Sequence, residues 1–499
     1  MIGQFAEVAE GILLALQPLN LLFIIFGTFL GLFVGAVPGL SSPMAITVLI
    51  PLTYGLGPYR AMYILLGIYV GTKLGGSFAA IMVRTPGTPA GACTALDGHP
   101  MALKGDGDLA LGYATLASSF GGLMGWLLLF VAAPLISLIA VKFTNADVAV
   151  IAFVGLIFVA TLSRTSMVKG LMSVALGLLL STVGIDPITG FARYTFDIPQ
   201  LLGGFDFVAA MIGMFAISVV FSDLEEVYKP SLRTGKARMR FPSLKRFFQG
   251  WKALLYGTGW GAIMGPLPGV GSVGATWISY SSLKNQSKEP EKFGTGIPEG
   301  IMAPESANNM CTGGALIPMM TLGIPGDPST AVMLGALLLH GFRPGPLFFG
   351  ESPDLAYGII GGMLLTNIMM GVLAIASIGF FVRVLGTRRG LIFPLVLIMA
   401  VVGSFATTNS MFSVWVGVGF GLVGYFLYKY GFSIPGVVLA LILGPIIEEN
   451  MRLALVIYRG SLAAFVSSIP SVIGLIAAVL VIGMEIRRAY KHPQKKSVV

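Results

Sequence analysis

From Leu355 to Phe381 the chain carries no Asp, Glu, Lys or Arg, and the same holds for Gly125–Ile139, Ala149–Leu162, Phe207–Phe221 and Leu475–Met484. About 20 predominantly apolar residues in helical form cross the hydrocarbon core of a bilayer, and inside that core every backbone N–H and C=O needs an internal partner. A chain with roughly ten to twelve such stretches folds as a bundle of membrane-crossing helices. Charged residues make up 11% of the 499, against about 25% in a soluble domain, and the mean hydropathy is +0.87. These values exclude a water-soluble fold. The expected class is an all-α polytopic membrane protein in which broken or re-entrant helices interrupt the spans.

The one long polar interruption runs from Ser222 to Lys252. It divides the chain into a first membrane half (1–222), a basic linker (223–252), a second membrane half (253–486) and a basic tail (487–499). The net charge of +9 does not point to nucleic acid, because Lys and Arg concentrate in the linker, at Arg383–Arg389, at Lys429 and in the tail. Cytoplasmic loops of membrane proteins carry this bias, so the linker and the C-terminus are expected in the cytoplasm. The start of the chain, with Glu7 and Glu10 and no cation before Arg60, is expected outside. It lacks the basic segment of a cleaved signal peptide. Cys93 and Cys311 suit neither a disulfide framework nor a metal site and read as core cysteines.

Two segments recur. Gly31–Gly39 matches Gly261–Gly269 at an offset of 230, and Thr85-Pro-Gly-Thr-Pro89 matches Ile324-Pro-Gly-Asp-Pro328 at an offset of 239. The difference of nine fits an insertion near Lys284–Lys292. With an odd number of crossings in the first half, the second copy is inverted, an arrangement that places transport sites between repeats. The pairs Gly31/Gly35 and Gly261/Gly265 read as close helix contacts. The same reading covers Gly269-Val-Gly271-Ser-Val-Gly274, which matches a dinucleotide fingerprint only formally, since no soluble βαβ unit surrounds it.

Both Pro-Gly segments break apolar runs, which a bilayer tolerates only where backbone is buried in protein or lines a cavity. Thr88 before Pro89, and Asp327 before Pro328 and Ser329, are expected to cap new helices. Free N–H groups at such ends favour an anion such as a carboxylate. Pro298–Asn309 sets Glu305, Asn308 and Asn309 close together as oxygen ligands for a hard cation, sodium being the expectation. A helix N-cap at a solvated membrane edge is the alternative for Glu305. Lys73 and Arg84 each either attract a carboxylate or snorkel to the interface. Only three His are present, and no nucleophile or metallohydrolase motif occurs, so no enzyme is expected and no cofactor beyond a bound sodium ion.

Gly67–Gly105 and Gly300–Pro346 resemble the hallmark regions of the large membrane subunit of the tripartite tricarboxylate transporter family. The residues that carry the resemblance are Thr85-Pro-Gly-Thr-Pro-Ala, Asp97-Gly-His-Pro-Met, Pro304-Glu-Ser-Ala-Asn-Asn, Gly313-Gly-Ala-Leu-Ile-Pro, Leu322-Gly-Ile-Pro-Gly and Pro344–Pro346. The resemblance implies a secondary transporter of the bacterial inner membrane, coupled to a sodium or proton gradient. It also implies a small membrane subunit and a periplasmic solute-binding protein that delivers carboxylates such as citrate; a homodimer of the large subunit is compatible with it. Carried onto this sequence, it places the substrate at Pro86, Gly87 and Thr88 and at Pro325, Gly326, Asp327 and Ser329, with Ser41, Ser42 and Ser272 beside them. Arg84 and Asp327 depart from the family pattern and change the charge near that site, which leaves the substrate open. Transport of another small solute, or an anion channel, is the alternative.

Overall fold

The computed structural model describes residues 2–37, 40–161, 166–225, 240–269, 271–384 and 392–491. The chain is a polytopic all-α membrane protein. The first half contains α1 (Ile2–Leu16), α2 (Pro18–Ala36), α3 (Ser42–Thr53), α4 (Pro58–Val83), α5 (Gly91–Met101), α6 (Gly107–Ala140), α7 (Asn145–Thr161) and α8 (Met167–Ser181). It ends with α9 (Phe207–Ile212), which runs through a widened turn into α10 (Ser218–Glu225). The second contains α11 (Leu244–Gln249), α12 (Trp251–Met264), α13 (Gly271–Gln286), α14 (Glu299–Leu322), α15 (Pro328–Leu339), α16 (Phe348–Glu351) and α17 (Pro353–Val384). It closes with α18 (Ile392–Thr408), α19 (Met411–Lys429), α20 (Ile434–Ile457) and α21 (Ile469–Lys491).

Among the described residues six helical stretches are long and apolar enough to cross a membrane, and shorter apolar helices pack between them. Gly184–Ile185 and Ala192–Arg193 form a small antiparallel hairpin in the loop after α8. One hydrophobic core, from Val8 to Leu443, unites both halves.

Packing begins with glycine. On α2, Gly27, Gly31 and Gly35 lie one turn apart, and a β-carbon on them would strike the backbone of Ile64, Ile68 and Thr72 on α4. On α12, Gly257, Gly261 and Gly265 meet Ala303, Ala307 and Cys311 on α14 in the same way. Each α2 glycine precedes its α12 counterpart by 230 residues, and each α4 partner precedes its α14 counterpart by 239. With no side chain between them the backbones touch, the geometry that small residues permit in membrane helices.

The correspondence extends to the breaks. α4 ends at Arg84 (φ 55°) and α14 at Gly323 (φ 69°), both left-handed caps and 239 residues apart. After them, Gly87 seats against Gly35 and Gly76, and Gly326 against Gly265 and Ala315. The two loops differ in cover. Arg84, Thr85 and Pro89 are exposed, whereas Gly323–Asp327 is buried and the Pro344 carbonyl overlies Gly323.

Several expectations fall on residues outside the description. These are Pro38 and Gly39 of the first Pro-Gly segment, residues 226–239 of the linker, 385–391 of the basic loop and 492–499 of the tail. At the near end of the linker, Arg240 pairs with Asp106 and Asp108.

Candidate functional site

The buried centre lies where α4 and α14 meet the loop regions that follow them. Glu305 sits inside α14, not at a helix end, and is 0% exposed. This overturns its reading as an N-cap at a solvated edge. Its Oε1 accepts hydrogen bonds from Ser77 Oγ (2.5 Å) on α4 and from Thr94 Oγ1 on α5, and its Oε2 accepts one from Ser118 Oγ (2.7 Å) on α6. No Lys or Arg pairs with it. Three hydroxyls from three helices satisfy the lone pairs but leave the charge uncompensated, and an ionised carboxylate at membrane depth is costly without compensation.

Around this carboxylate lie polar groups without partners. Both side-chain atoms of Asn308 and Oδ1 of Asn309 have no hydrogen-bond partner, although both residues are 0% exposed. The Asn309 amide donates only to the Glu305 carbonyl (3.4 Å). Ser42 Oγ and Thr88 Oγ1 are likewise buried and unpartnered. An orphaned buried polar group costs about 1–3 kcal/mol, so a cluster of them marks a place built for something polar. Among the described residues no group of three His, Cys, Asp or Glu could hold a metal ion, which leaves carboxamide and hydroxyl oxygens as the available ligands.

The sequence-predicted residues separate here. Asp327 caps α15 as expected: its Oδ1 accepts from Thr330 N (2.9 Å), and the Thr330 hydroxyl returns the bond, closing a capping box. Its Oδ2 accepts from Tyr69 OH (2.7 Å) and lies 3.7 Å from Lys73 Nζ. Lys73 donates to Ser272 Oγ (2.7 Å). Lys73 therefore does not snorkel; it lies within α4 as half of a buried ion pair. Removing one partner from such a pair costs about 3–5 kcal/mol.

Thr88 does not cap. α5 starts only at Gly91, its N-cap is Ala90 with no side-chain bond, and Gly91, Ala92 and Cys93 donate to the carbonyls of Thr88, Pro89 and Ala90. The free helix ends expected to hold a carboxylate are thus filled, by turn carbonyls at α5 and by the chain's own Asp327 at α15. Ser41 caps α3 through Met44 N (3.4 Å), Ser329 is buried in the first turn of α15, and Pro325 and Gly326 are buried in the second loop. Arg84 is exposed at the first loop.

Sequence reasoning missed Ser77, Thr94, Ser118 and Tyr69. Each is a single hydroxyl in an apolar helix, with no local signal to separate it from one that bonds its own backbone. It also gave no role to Asp97. That residue, 0% exposed on α5, accepts from Tyr280 OH (2.8 Å) and from the backbone N–H groups of Gly294, Gly296 and Ile297. The segment between α13 and α14, where the nine-residue difference between the offsets arises, is thereby fastened to the first half.

Two curated relatives from Agrobacterium vitis share this sequence. An uncharacterised 52.8 kDa protein in the TAR-I ttuC' 3' region is 36% identical over 468 residues, 94% of this chain and 93% of the relative. An uncharacterised protein in the TAR-II ttuC' 3' region is 39% identical over 208 residues, 42% of this chain and 86% of the relative. No solved structure matches the chain. Residues 21–439 match the family described as the tripartite tricarboxylate transporter TctA family. That span contains the glycine ladders, both Pro-Gly loops and the buried Glu305 centre, and the chain belongs to the tripartite tricarboxylate transporter TctA family.

Proposed function

We propose that this transporter subunit imports a carboxylate, a tricarboxylate or related organic acid, in exchange for the downhill entry of a cation across the bacterial inner membrane. Family membership supports the transport role and the substrate class. The observation that carries cation coupling is the uncompensated Glu305 carboxylate, fully buried beside the orphaned oxygens of Asn308 and Asn309. Sodium fits that set, since carboxylate and carboxamide oxygens suit hard cations. Asn308 and Asn309 would hold the ion within one turn of Glu305, whose charge offsets that of the ion. The carboxylate would bind beside the two Pro-Gly loops, with Ser42 and Thr88 as hydroxyl donors; Arg84, exposed on the first loop, is the cation nearest in sequence.

In this reading the two sets of matched contacts are an inverted repeat, and one part moves against the other to expose the centre to each side in turn. The partners are a small membrane subunit and a periplasmic solute-binding protein, and the linker and tail lie in the cytoplasm. The test is uptake of radiolabelled citrate and other carboxylates into proteoliposomes holding the chain, its small subunit and the binding protein. Accumulation is expected only with a sodium or proton gradient. Flux that ignores every imposed gradient would sink the coupling.

A further inference from the structure

The offsets that pair the glycine ladders also pair side chains. An offset of 230 takes Ser42 to Ser272, and an offset of 239 takes Tyr69 to Asn308, Lys73 to Thr312 and Thr88 to Asp327. Two places in the centre can therefore be compared group by group.

In one place an ammonium is surrounded by oxygen. Lys73 Nζ donates to Ser272 Oγ (2.7 Å) and lies 3.7 Å from Asp327 Oδ2, which Tyr69 OH also bonds (2.7 Å). The Nζ is 5.2 Å from the centre of the Tyr69 ring. In the other place the matching corners are Ser42, Thr88 and Asn308, with exposures of 4%, 6% and 0%. Ser42 Oγ, Thr88 Oγ1 and Asn308 Oδ1 all lack partners. Thr312 stands where Lys73 stands in the first place, and its short side chain donates to Asn309 O (2.6 Å). Thr88 packs against Gly76, the neighbour of Ser77, which bonds Glu305 one turn from Asn308.

The orphans thus appear where the ammonium is missing. We infer that Ser42, Thr88 and Asn308 form a site for one monovalent cation of the sodium class, and that the Lys73 ammonium is a built-in substitute for such a cation in the matching place. Neutral hydroxyl and carboxamide oxygens suit a monovalent hard ion, whereas a divalent one collects carboxylates. The inference rests on the cation-coupled reading and moves the ion from Glu305 itself to a site one turn away.

The experiment is binding of ²²Na⁺ to the purified full chain in detergent, with no substrate or partner present and ionic strength held constant with choline. Wild type is expected to bind sodium saturably. Thr88→Val and Ser42→Ala, which remove one oxygen each, should weaken half-saturation at least tenfold. Lys73→Thr, which gives the second place the side chain of the first, should raise the bound sodium by one equivalent. If Thr88→Val fails to fold, Ser42→Ala and Lys73→Thr decide. Unchanged sodium affinity in the oxygen-deleted variants, or an unchanged stoichiometry in Lys73→Thr, overturns the assignment. Because no substrate is used, loss of sodium binding with uptake intact refutes only this site, and absent uptake with sodium binding intact refutes only the carboxylate reading.

Discussion

Replacing Asp97 by Ala removes one acceptor and strands four donors. The Tyr280 hydroxyl and the N–H groups of Gly294, Gly296 and Ile297 all point at its carboxylate, and Gly294 N reaches both oxygens at 2.9 and 3.0 Å. A hydrogen bond to a charged group contributes about 1.5–3 kcal/mol when buried. Three of these donors belong to a partly buried loop where water can replace the acceptor, so about 1 kcal/mol each is appropriate, with about 2 kcal/mol for the tyrosine. The loss is then about 5 kcal/mol. Unfolding entropy of about 2.1 cal/mol/K per residue amounts to about 1 kcal/mol/K over the whole chain, so the melting midpoint should fall by about 5 °C. Asp97→Asn keeps one oxygen for the loop N–H groups and should lose about half as much. The assay is unfolding in detergent followed by a thiol-reactive dye, because both cysteines, Cys93 and Cys311, are buried. Cys93 lies one turn before Asp97, so its labelling reports the damaged region directly. An Asp97→Ala midpoint equal to wild type would refute the claim that this carboxylate fastens the α13–α14 segment.

Gly300→Ala should mimic that damage, since its β-carbon would collide with the Asp97 carboxylate; a wild-type midpoint would show that the carboxylate shifts without cost. Glu305→Gln keeps the shape and three hydroxyl contacts but removes the charge, so cation-driven uptake should fall at least tenfold while folding survives; transport rates and midpoints separate the two effects. Gly31→Leu forces α2 away from α4, where its β-carbon meets Gly67 and Ile68 backbone, and should abolish monodisperse expression; a normal elution profile on size exclusion would contradict it. At the end of α20, the Arg452 guanidinium beside Asp186 holds that carboxyl well below the usual carboxylate range, with help from the Ile188 and Thr189 N–H groups. Its contribution is present above the unfolded pKa of about 3.9 and fades as pH falls through the lower folded value. Asp186→Asn should therefore flatten the acid limb of a midpoint-versus-pH curve, and an unchanged limb would count against the pairing.

What the sequence disclosed depended on how far apart the interacting groups lie along the chain. The glycine contacts were legible because spacing by four places small residues on one helix face, and an identical spacing 230 residues later repeats the signal. Asp327 was legible as a cap because capping is local: an acceptor, a proline at the first helical position and a threonine three residues on. Thr88 has the same local pattern and still does not cap, because Gly87 and Thr88 are packed onto α4 at Gly76 and the helix waits until Gly91. Lys73 could not be interpreted alone, since both its partners lie about two hundred residues away. The hydroxyls that bind Glu305 come from three different helices, so no window of sequence contains them together. The transport class was visible in the motifs, whereas the arrangement of charges required the fold.

That arrangement has an electrical consequence. Lys73 and Asp327 cancel, so with Glu305 ionised the buried centre carries one negative elementary charge. A membrane voltage acts on such a charge with about 2.3 kcal/mol per 100 mV for a full crossing, and a single sodium ion brings the total to zero. With the cell interior negative, the loaded centre would cross the field almost unaffected, while the empty one would be pushed outward. The resting potential would then act mainly on the return stroke, resetting an unloaded carrier to face the outside.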